Sequence, residues 1–261
     1  MHILVILKMV PDVVEELELA LDHKSLDTEY LRLVLSESDD HALEEALLLK
    51  ERHGAKVTVA ALEAPDIDDT LFTALAKGAD RAVKVTGAEE GLTTRGAAFV
   101  LSQVLLDGCG LLPADLVLTG AQAIDDVDGL AAPLVAYHLG WPYVGIVTGA
   151  AVDPAAAKAS VVREYPGGVR GEFEVNLPAV LGIQSAEKPP RYVPVAKVRA
   201  AMKTLRIEAV TAPAVANGGA GLARVVEMSK PAATGRAEML EGDAENAAAK
   251  LCTILSERGV L

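Results

Sequence analysis

Short apolar runs alternate with stretches of helical length over roughly the first half of the chain, and this alternation leaves few folds open. The apolar runs are His2–Leu7, Val57–Leu62, Ala82–Val85 and Leu116–Thr119. Between them, apolar residues recur at helical spacing over Ala42–His53, Ile67–Lys77, Thr94–Leu106 and Leu130–Leu139. Strands separated by helices of this length need crossover connections, which produce a mostly parallel, doubly wound α/β sheet. A parallel sheet is buried on both faces, so its strands read as continuous apolar runs. Half of the residues are hydrophobic but only 3% are aromatic, so Ala, Val and Leu must build this core. In such a sheet ligands bind beyond the carboxyl ends of the strands. The loops around Lys8, Ser36, Leu62 and Gly120 can therefore converge on one crevice.

The pattern changes after Val144. Val144–Ala150, Ala159–Glu164, Glu172–Leu177 and Val180–Gln184 read as strands, and Pro166-Gly167-Gly168 supplies a turn for an added antiparallel hairpin. Lys188-Pro189-Pro190-Arg191-Tyr192 then predicts an extended surface segment, because two prolines disfavour helix. Ala212–Gly221, rich in Pro, Ala, Asn and Gly, reads as a linker. A last helix follows, with Asp243 as its N-cap and Ala247, Leu251, Ile254 and Leu255 as an apolar stripe. These features divide the chain into an α/β domain over 1–187 and an extended C-terminal arm over 188–261, ending in a helix. The arm is so poor in core residues that its striped helix is expected to dock on a partner.

Composition removes several function classes. A net charge of −13 and few aromatic rings oppose nucleic-acid binding and adhesion to anionic membranes. Cys109 and Cys252 lie far apart and follow no metal-ligand spacing, which suits free thiols in a reducing compartment. No charged leader precedes the first strand and no apolar run approaches the ~20 residues of a membrane span. A cytoplasmic protein without membrane insertion is expected. His2, His23, His41, His53 and His138 are scattered, and neither a Walker-type phosphate loop nor a dinucleotide glycine fingerprint is present. No catalytic constellation emerges, so no enzyme activity is expected. Asp125, Asp126 and Asp128 could hold a divalent metal, but carboxylates at a helix start are the plainer reading.

The most informative stretch is Asp115–Pro142, DLVLTGAQAIDDVDGLAAPLVAYHLGWP. It reads as strand, polar loop and helix. Its G-x-Q-A-I-D-D word followed by L-G-W-P resembles the β subunit of electron transfer flavoproteins. Leu7–Asp12 (LKMVPD) is similar to that family's K-x-V-x-D word, and Thr73–Arg81 (TALAKGADR) to its T-A-L-A-x-G-A-D-R word. Val161–Val180 resembles its V-x-R-E…G-G…E-V-x-x-P-A-V signature. The words keep their order along nearly the whole chain.

The resemblance implies an adenine-nucleotide-binding type of sheet and a heterodimer with an α subunit that holds FAD. It also implies a crevice for AMP. In that crevice Ile6 would lie at the adenine end, Ser36, Glu37, Ser38 and Asp39 would form one wall, and Leu62 another. The loop Gly120, Ala121, Gln122, Ala123, Ile124, Asp125, Asp126, Val127, Asp128, Gly129, Leu130 and Ala131 would wrap the phosphate at a helix N-terminus. The chain departs from the family here. Ser36 stands where Asn is usual, Ala121 where Lys is common, and Gly129, Leu130 and Ala131 replace residues with more polar side chains. Asp128 and Glu63 add negative charge. Val13 and Ser38 occupy positions where many relatives have aromatics near the isoalloxazine. The loop does not match the D-G-D-T-A-Q-V form of bifurcating relatives, so a second FAD is not expected. Pro190, Arg191, Tyr192, Val193, Pro194, Val195, Ala196 and Lys197 resemble the family's recognition loop for a flavoprotein dehydrogenase, with Val195 at the anchor position. Electrons would then pass to a quinone oxidoreductase or another acceptor. The alternatives are a stand-alone adenine-nucleotide-binding stress-type protein and a metal-dependent hydrolase built on the three aspartates.

Overall fold

The computed structural model describes residues 1–88, 91–107, 109–126, 128–213, 225–231, 237 and 239–260. In chain order the elements are β1 (His2–Leu7), β2 (Met9–Pro11), β3 (Leu33–Leu35), α1 (Glu37–His53), β4 (Lys56–Leu62), α2 (Ile67–Lys77), β5 (Arg81–Thr86) and α3 (Thr94–Leu106). They continue with β6 (Leu116–Gly120), α4 (Ala131–Leu139), β7 (Tyr143–Asp153), β8 (Lys158–Tyr165), β9 (Val169–Asn176), β10 (Ala179–Ile183), α5 (Val195–Thr204), β11 (Ile207–Thr211) and α6 (Ala244–Glu257).

One nine-stranded sheet runs in the order β11-β5-β4-β1-β6-β10-β7-β8-β9. Strands β11 through β7 pair in parallel, and β8 and β9 add the expected antiparallel hairpin. A small antiparallel pair, β2 with β3, stands apart. Leu43, Ala46 and Leu47 of α1 and Leu71 and Ala74 of α2 pack on one face of the large sheet with Ile3, Val5 and Val57. Val104 of α3 and Val135 of α4 cover the other with Leu4, Val83 and Val117. The sheet is thus doubly wound. From β1 the chain steps outward through β4 and β5, and β6 then falls on the far side of β1. The order reverses between β1 and β6, so the sheet's switch point lies there.

The arm differs from its sequence reading. The extended stretch stops at Pro194, which sits just before the first turn of α5, where a missing N–H costs nothing. Val195 is therefore the first residue of a helix rather than part of a loop. Helix α5 packs against α2, and β11 then pairs in register with β5, Ile207 opposite Ala82. The sheet reaches past the boundary drawn at residue 187. Most of the linker stretch Ala212–Gly221 lies outside the described residues. Helix α6 begins as expected, with the Asp243 carboxylate accepting the Asn246 N–H at 2.9 Å. Among the described residues no residue of α6 is fully buried: Leu251 of its apolar stripe is exposed, and Ala247, Ile254 and Leu255 are only partly covered.

Candidate functional site

Among the described residues, two cavities of similar size lie at opposite ends of the sheet. One, of about 540 Å³, lies at the amino ends of β6 and β10 among Leu105, Leu112, Trp141, Leu177 and Pro178. Its one charged group, Asp115, already accepts the backbone N–H of His2 at 2.7 Å. The other, of about 510 Å³, lies at the carboxyl ends of β1, β6 and β10. Strand carboxyl ends at a switch point are where an open α/β sheet presents ligand-facing loops. The second cavity is therefore the candidate site.

Its walls come from four places in the chain. β2 and the residue that follows it supply Val10, Pro11 and Asp12, with Val13 beyond them; β3 supplies Val34 and Leu35; the start of α1 supplies Ser36, Glu37, Ser38 and His41. The loop after β6 adds Gln122, Ala123 and Ile124, and Gln184 follows β10. Six residues anticipated from the sequence thus meet here: Ser36, Glu37, Ser38, Gln122, Ala123 and Ile124. Val13 and Ser38 also lie together on this wall. Ile6 and Leu62 do not join them. Both pack with the core on the α3–α4 face, on the opposite side of the sheet from α1. Asp39, Gly120, Ala121, Asp125, Asp126, Asp128, Gly129, Leu130 and Ala131 are absent from the lining, and Val127 lies outside the described residues. His41 and Gln184 were missed by sequence. His41 follows Ser38 by one turn, and Gln184 ends an apolar run at a strand carboxyl end, so either rule could have found them.

Between the two sets of walls the switch point is closed by the protein itself. The buried Asp39 carboxylate accepts the N–H of Lys8, at the end of β1, at 3.0 Å and that of Gly120, at the end of β6, at 2.5 Å. Burial pushes its pKa up to about 7, against the pull of these two N–H groups and of Lys8. Gly120 is needed for this closeness. A Cβ there would overlap the Ser38 hydroxyl and stand 2.8 Å from the Asp39 carboxylate. Ser38 in turn donates to the Gln122 carbonyl at 2.6 Å, which ties the start of α1 to the loop after β6.

The same loop satisfies its donors internally. Ala121 N–H binds the Ile183 carbonyl, Ala123 N–H the Asp126 carboxylate, and Leu130 N–H the Asp128 carboxylate. Asp125 and Asp126 pair with the Lys8 ammonium at 2.6 and 3.1 Å. Burial alone would lower the Lys8 pKa, but these two carboxylates raise it above the ordinary value. The aspartates are thus ion-paired rather than simply solvated. No group of side chains suited to holding a metal exists among the described residues. Leu130 takes the N-cap position of α4 without a side-chain cap bond, and Gly129 supplies a left-handed φ of +58°. A phosphate needs unengaged N–H groups or an unpaired cation. Here at least four loop donors, from Gly120, Ala121, Ala123 and Leu130, are engaged, and two carboxylates pair with the lysine; the fit to a phosphate is poor.

The segment anticipated as a docking element lies along the flank of α1. Its residues Pro190 to Lys197 are held by Arg191, whose backbone N–H reaches Glu44 at 3.0 Å. The Arg191 guanidinium also pairs with Glu44 at 2.8 Å and Glu51 at 2.7 Å. Burial pushes the Glu44 carboxyl up, yet these Arg191 bonds outweigh it and leave it below the ordinary range. One residue on, Glu45 accepts the N–H groups of Ala150 and Glu187, and burial holds its pKa above the ordinary value. His41 accepts the Ala186 N–H at 3.2 Å. Beyond these anchors Tyr192 and Val195 are exposed. No helix among the described residues is long and apolar enough to cross a membrane.

A family model described as an electron transfer flavoprotein domain matches residues 25–215. The chain is 34% identical over 266 aligned positions to an electron transfer flavoprotein subunit beta of Methylophilus methylotrophus, covering 98% of each chain. It is 32% identical to the protein of the same description from Clostridium acetobutylicum, again over 98% of both chains. With the corresponding protein of Thermoanaerobacterium thermosaccharolyticum the match spans both chains in full at 30% identity.

Proposed function

The chain belongs to the electron transfer flavoprotein β-subunit family, and from that premise we propose that it is the structural and docking half of a heterodimer whose α subunit holds FAD. The bound flavin supplies the redox chemistry. This chain supplies one wall beside the flavin, through the crevice lined by Val10, Val13, Ile124 and His41. It also supplies the surface that receives a flavoprotein dehydrogenase, through Tyr192 and Val195 beyond the Arg191 anchor. It carries no bond-making residue. Electrons leave the flavin for a quinone oxidoreductase or a similar acceptor.

The observation that carries this reading is the placement of both elements on one helix. The start of α1 borders the crevice, and its flank holds the docking segment. The apolar part of the wall, Val10, Val13, Val34, Leu35 and Ile124, suits the edge of a ring system, and the carboxylates of Asp12 and Glu37 on the same lining oppose a phosphate. With Val13 and Ser38 at the wall, the flavin edge meets small side chains instead of aromatic rings. The stripe of α6, with Leu251 exposed and the rest only partly covered, suits burial against the α subunit. The loop that would have to cradle AMP has at least four of its donors engaged, so no part of the reading depends on that nucleotide, and the stand-alone nucleotide-binding alternative is disfavoured by the same loop.

The test is to purify the chain alone and with its α subunit, denature both, and identify released nucleotides by mass spectrometry. FAD at about one per heterodimer, and none from the lone chain, is the expected outcome. Stoichiometric FAD from the folded lone chain would overturn the assignment, and AMP from the heterodimer would show that the loop reorganises to admit a phosphate.

A further inference from the structure

We infer that the free edge of β9 is a self-pairing surface: it receives the β9 strand of a second copy of this chain, antiparallel and centred on Gly171. β9 (Val169–Asn176) ends the nine-stranded sheet, and its outer side pairs with no strand among the described residues. Its eight residues match β8 one for one, from Tyr165 opposite Val169 to Lys158 opposite Asn176, without a bulge. Six of the eight are exposed. A straight edge of this length, with unpaired main-chain N–H and C=O groups and no proline, is a template for another strand. The opposite edge, β11, is only five residues long. Neither the crevice nor the docking segment contributes a residue to β9.

What selects a second copy is the order of side chains. In a twofold interface residue i of each copy meets residue j of the other, so the strand must complement itself when reversed. Val169-Arg170-Gly171-Glu172-Phe173 does so. With Gly171 on the dyad, Arg170 stands opposite Glu172 of the second copy and Val169 opposite Phe173 of the second copy. Each pairing occurs twice. Side chains alternate between faces along a strand, and directly opposed residues share a face. The two ion pairs therefore lie on one side of the ribbon and the two apolar pairs on the other. Glu172 forms no ion pair among the described residues, whereas Glu174 has Lys158. Arg170 spends Nε and Nη2 on Glu164, which leaves Nη1 for a second carboxylate. On the apolar side the rings of Tyr165 and Phe173 close over Gly171. A Cβ there would stand 2.9 Å from Phe173 and 3.1 Å from Tyr165. Tyr165, Val169 and Phe173 are all exposed, and a second copy doubles this patch across the dyad.

The experiment is sedimentation velocity on the flavin-loaded heterodimer as its concentration is raised through the micromolar range. The expected species has twice the heterodimer mass and dissociates on dilution, and amide exchange over 169–173 slows as it forms. Glu172→Arg sets arginine against Arg170 at both ion pairs and should weaken association about tenfold or more. The swap Arg170→Glu/Glu172→Arg restores opposite charges across the dyad and should recover most of the association. Flavin content and denaturation midpoint should stay level in all three proteins. A single heterodimer mass at every concentration, or a double mass untouched by Glu172→Arg, would overturn the self-pairing edge. Association weakened by Glu172→Arg and not recovered by the swap would move the dyad off Gly171 and overturn the register. Slow amide exchange over 169–173 in a heterodimer of single mass would also overturn it, by assigning the edge to a strand of the α subunit.

Discussion

The mouth of the sheet and the segment proposed for docking both carry dense charge, and they use it in opposite ways. At the mouth, Asp39, Asp125 and Asp126 are turned inward on Lys8 and on backbone N–H groups, so that the charge holds two strand ends and one loop together. Over 188–206, the segment and the helix it leads into, one arginine is turned inward and five cations face solvent. The difference teaches that a loop at a helix N-terminus is not a binding site by position alone. Its donors must be unengaged, and here many of them are satisfied by the chain's own carboxylates.

If that contrast is right, the two regions fail differently when mutated. The largest effect belongs to Val195→Asp. Placing an unpaired carboxylate in a buried contact should cost about 2–5 kcal/mol of partner affinity, read as loss of dehydrogenase-driven flavin reduction below saturation, with heterodimer and FAD content intact. Unfolding of the heterodimer would instead move Val195 from the docking surface into the structural core. Next comes Gly120→Ala at the mouth, where the new methyl overlaps Ser38 and Asp39. Forcing α1 away from β6 should destabilise the fold by about 1–3 kcal/mol, measured as a lower denaturation midpoint.

Asp39→Asn sharpens the comparison through pH. Asparagine offers one acceptor oxygen where the carboxylate offers two, so one backbone N–H is left facing an amide NH₂, at about 1–3 kcal/mol. In the wild type the folded pKa of about 7 lies above the unfolded value of 3.8. The folded state therefore binds the extra proton between those values, and the contribution of Asp39 to stability falls as pH rises through that window and is level above it. Wild-type minus Asp39→Asn unfolding free energies should shrink from about pH 4 to pH 7; a difference that grows would show that the buried carboxylate ionises readily. Ser38→Ala is the smallest change. Losing one hydrogen bond to Gln122 should cost about 1 kcal/mol and speed amide exchange in residues 120–126, with little effect on the docking segment.

The frame was legible in the sequence because its signals are local. Continuous apolar runs gave β1, β4, β5 and β6, and the turn at Pro166–Gly168 gave the hairpin β8–β9. The short pair β2–β3 was missed because three residues are too few to show a period, and β11 because its five residues at a sheet edge bury little. Helix α5 was hidden by its prolines, which read as helix breakers although Pro194 stands where helices begin. The site was legible as a set of loops and not as an arrangement. Asp39 joins Lys8 and Gly120 across 31 and 81 residues of chain. No periodicity reports such a bond, and a match to a family word places the residue without naming its partner. Ile6 and Leu62 show the same limit from the other side, since neighbouring strand ends can open on opposite faces of one sheet.

Helix α1 has one more consequence. Asp39 and Glu44 are five residues apart, about 7.5 Å along the axis, and one closes the sheet while the other clasps the docking segment. The two tasks share a single rigid rod, with no loop between them to absorb a shift. A tilt of that rod imposed by a docking partner moves the crevice wall by a comparable distance. An engineer seeking a new partner for this protein could not alter the clasp without retuning the crevice wall, and any variant selected at one end should be assayed at both.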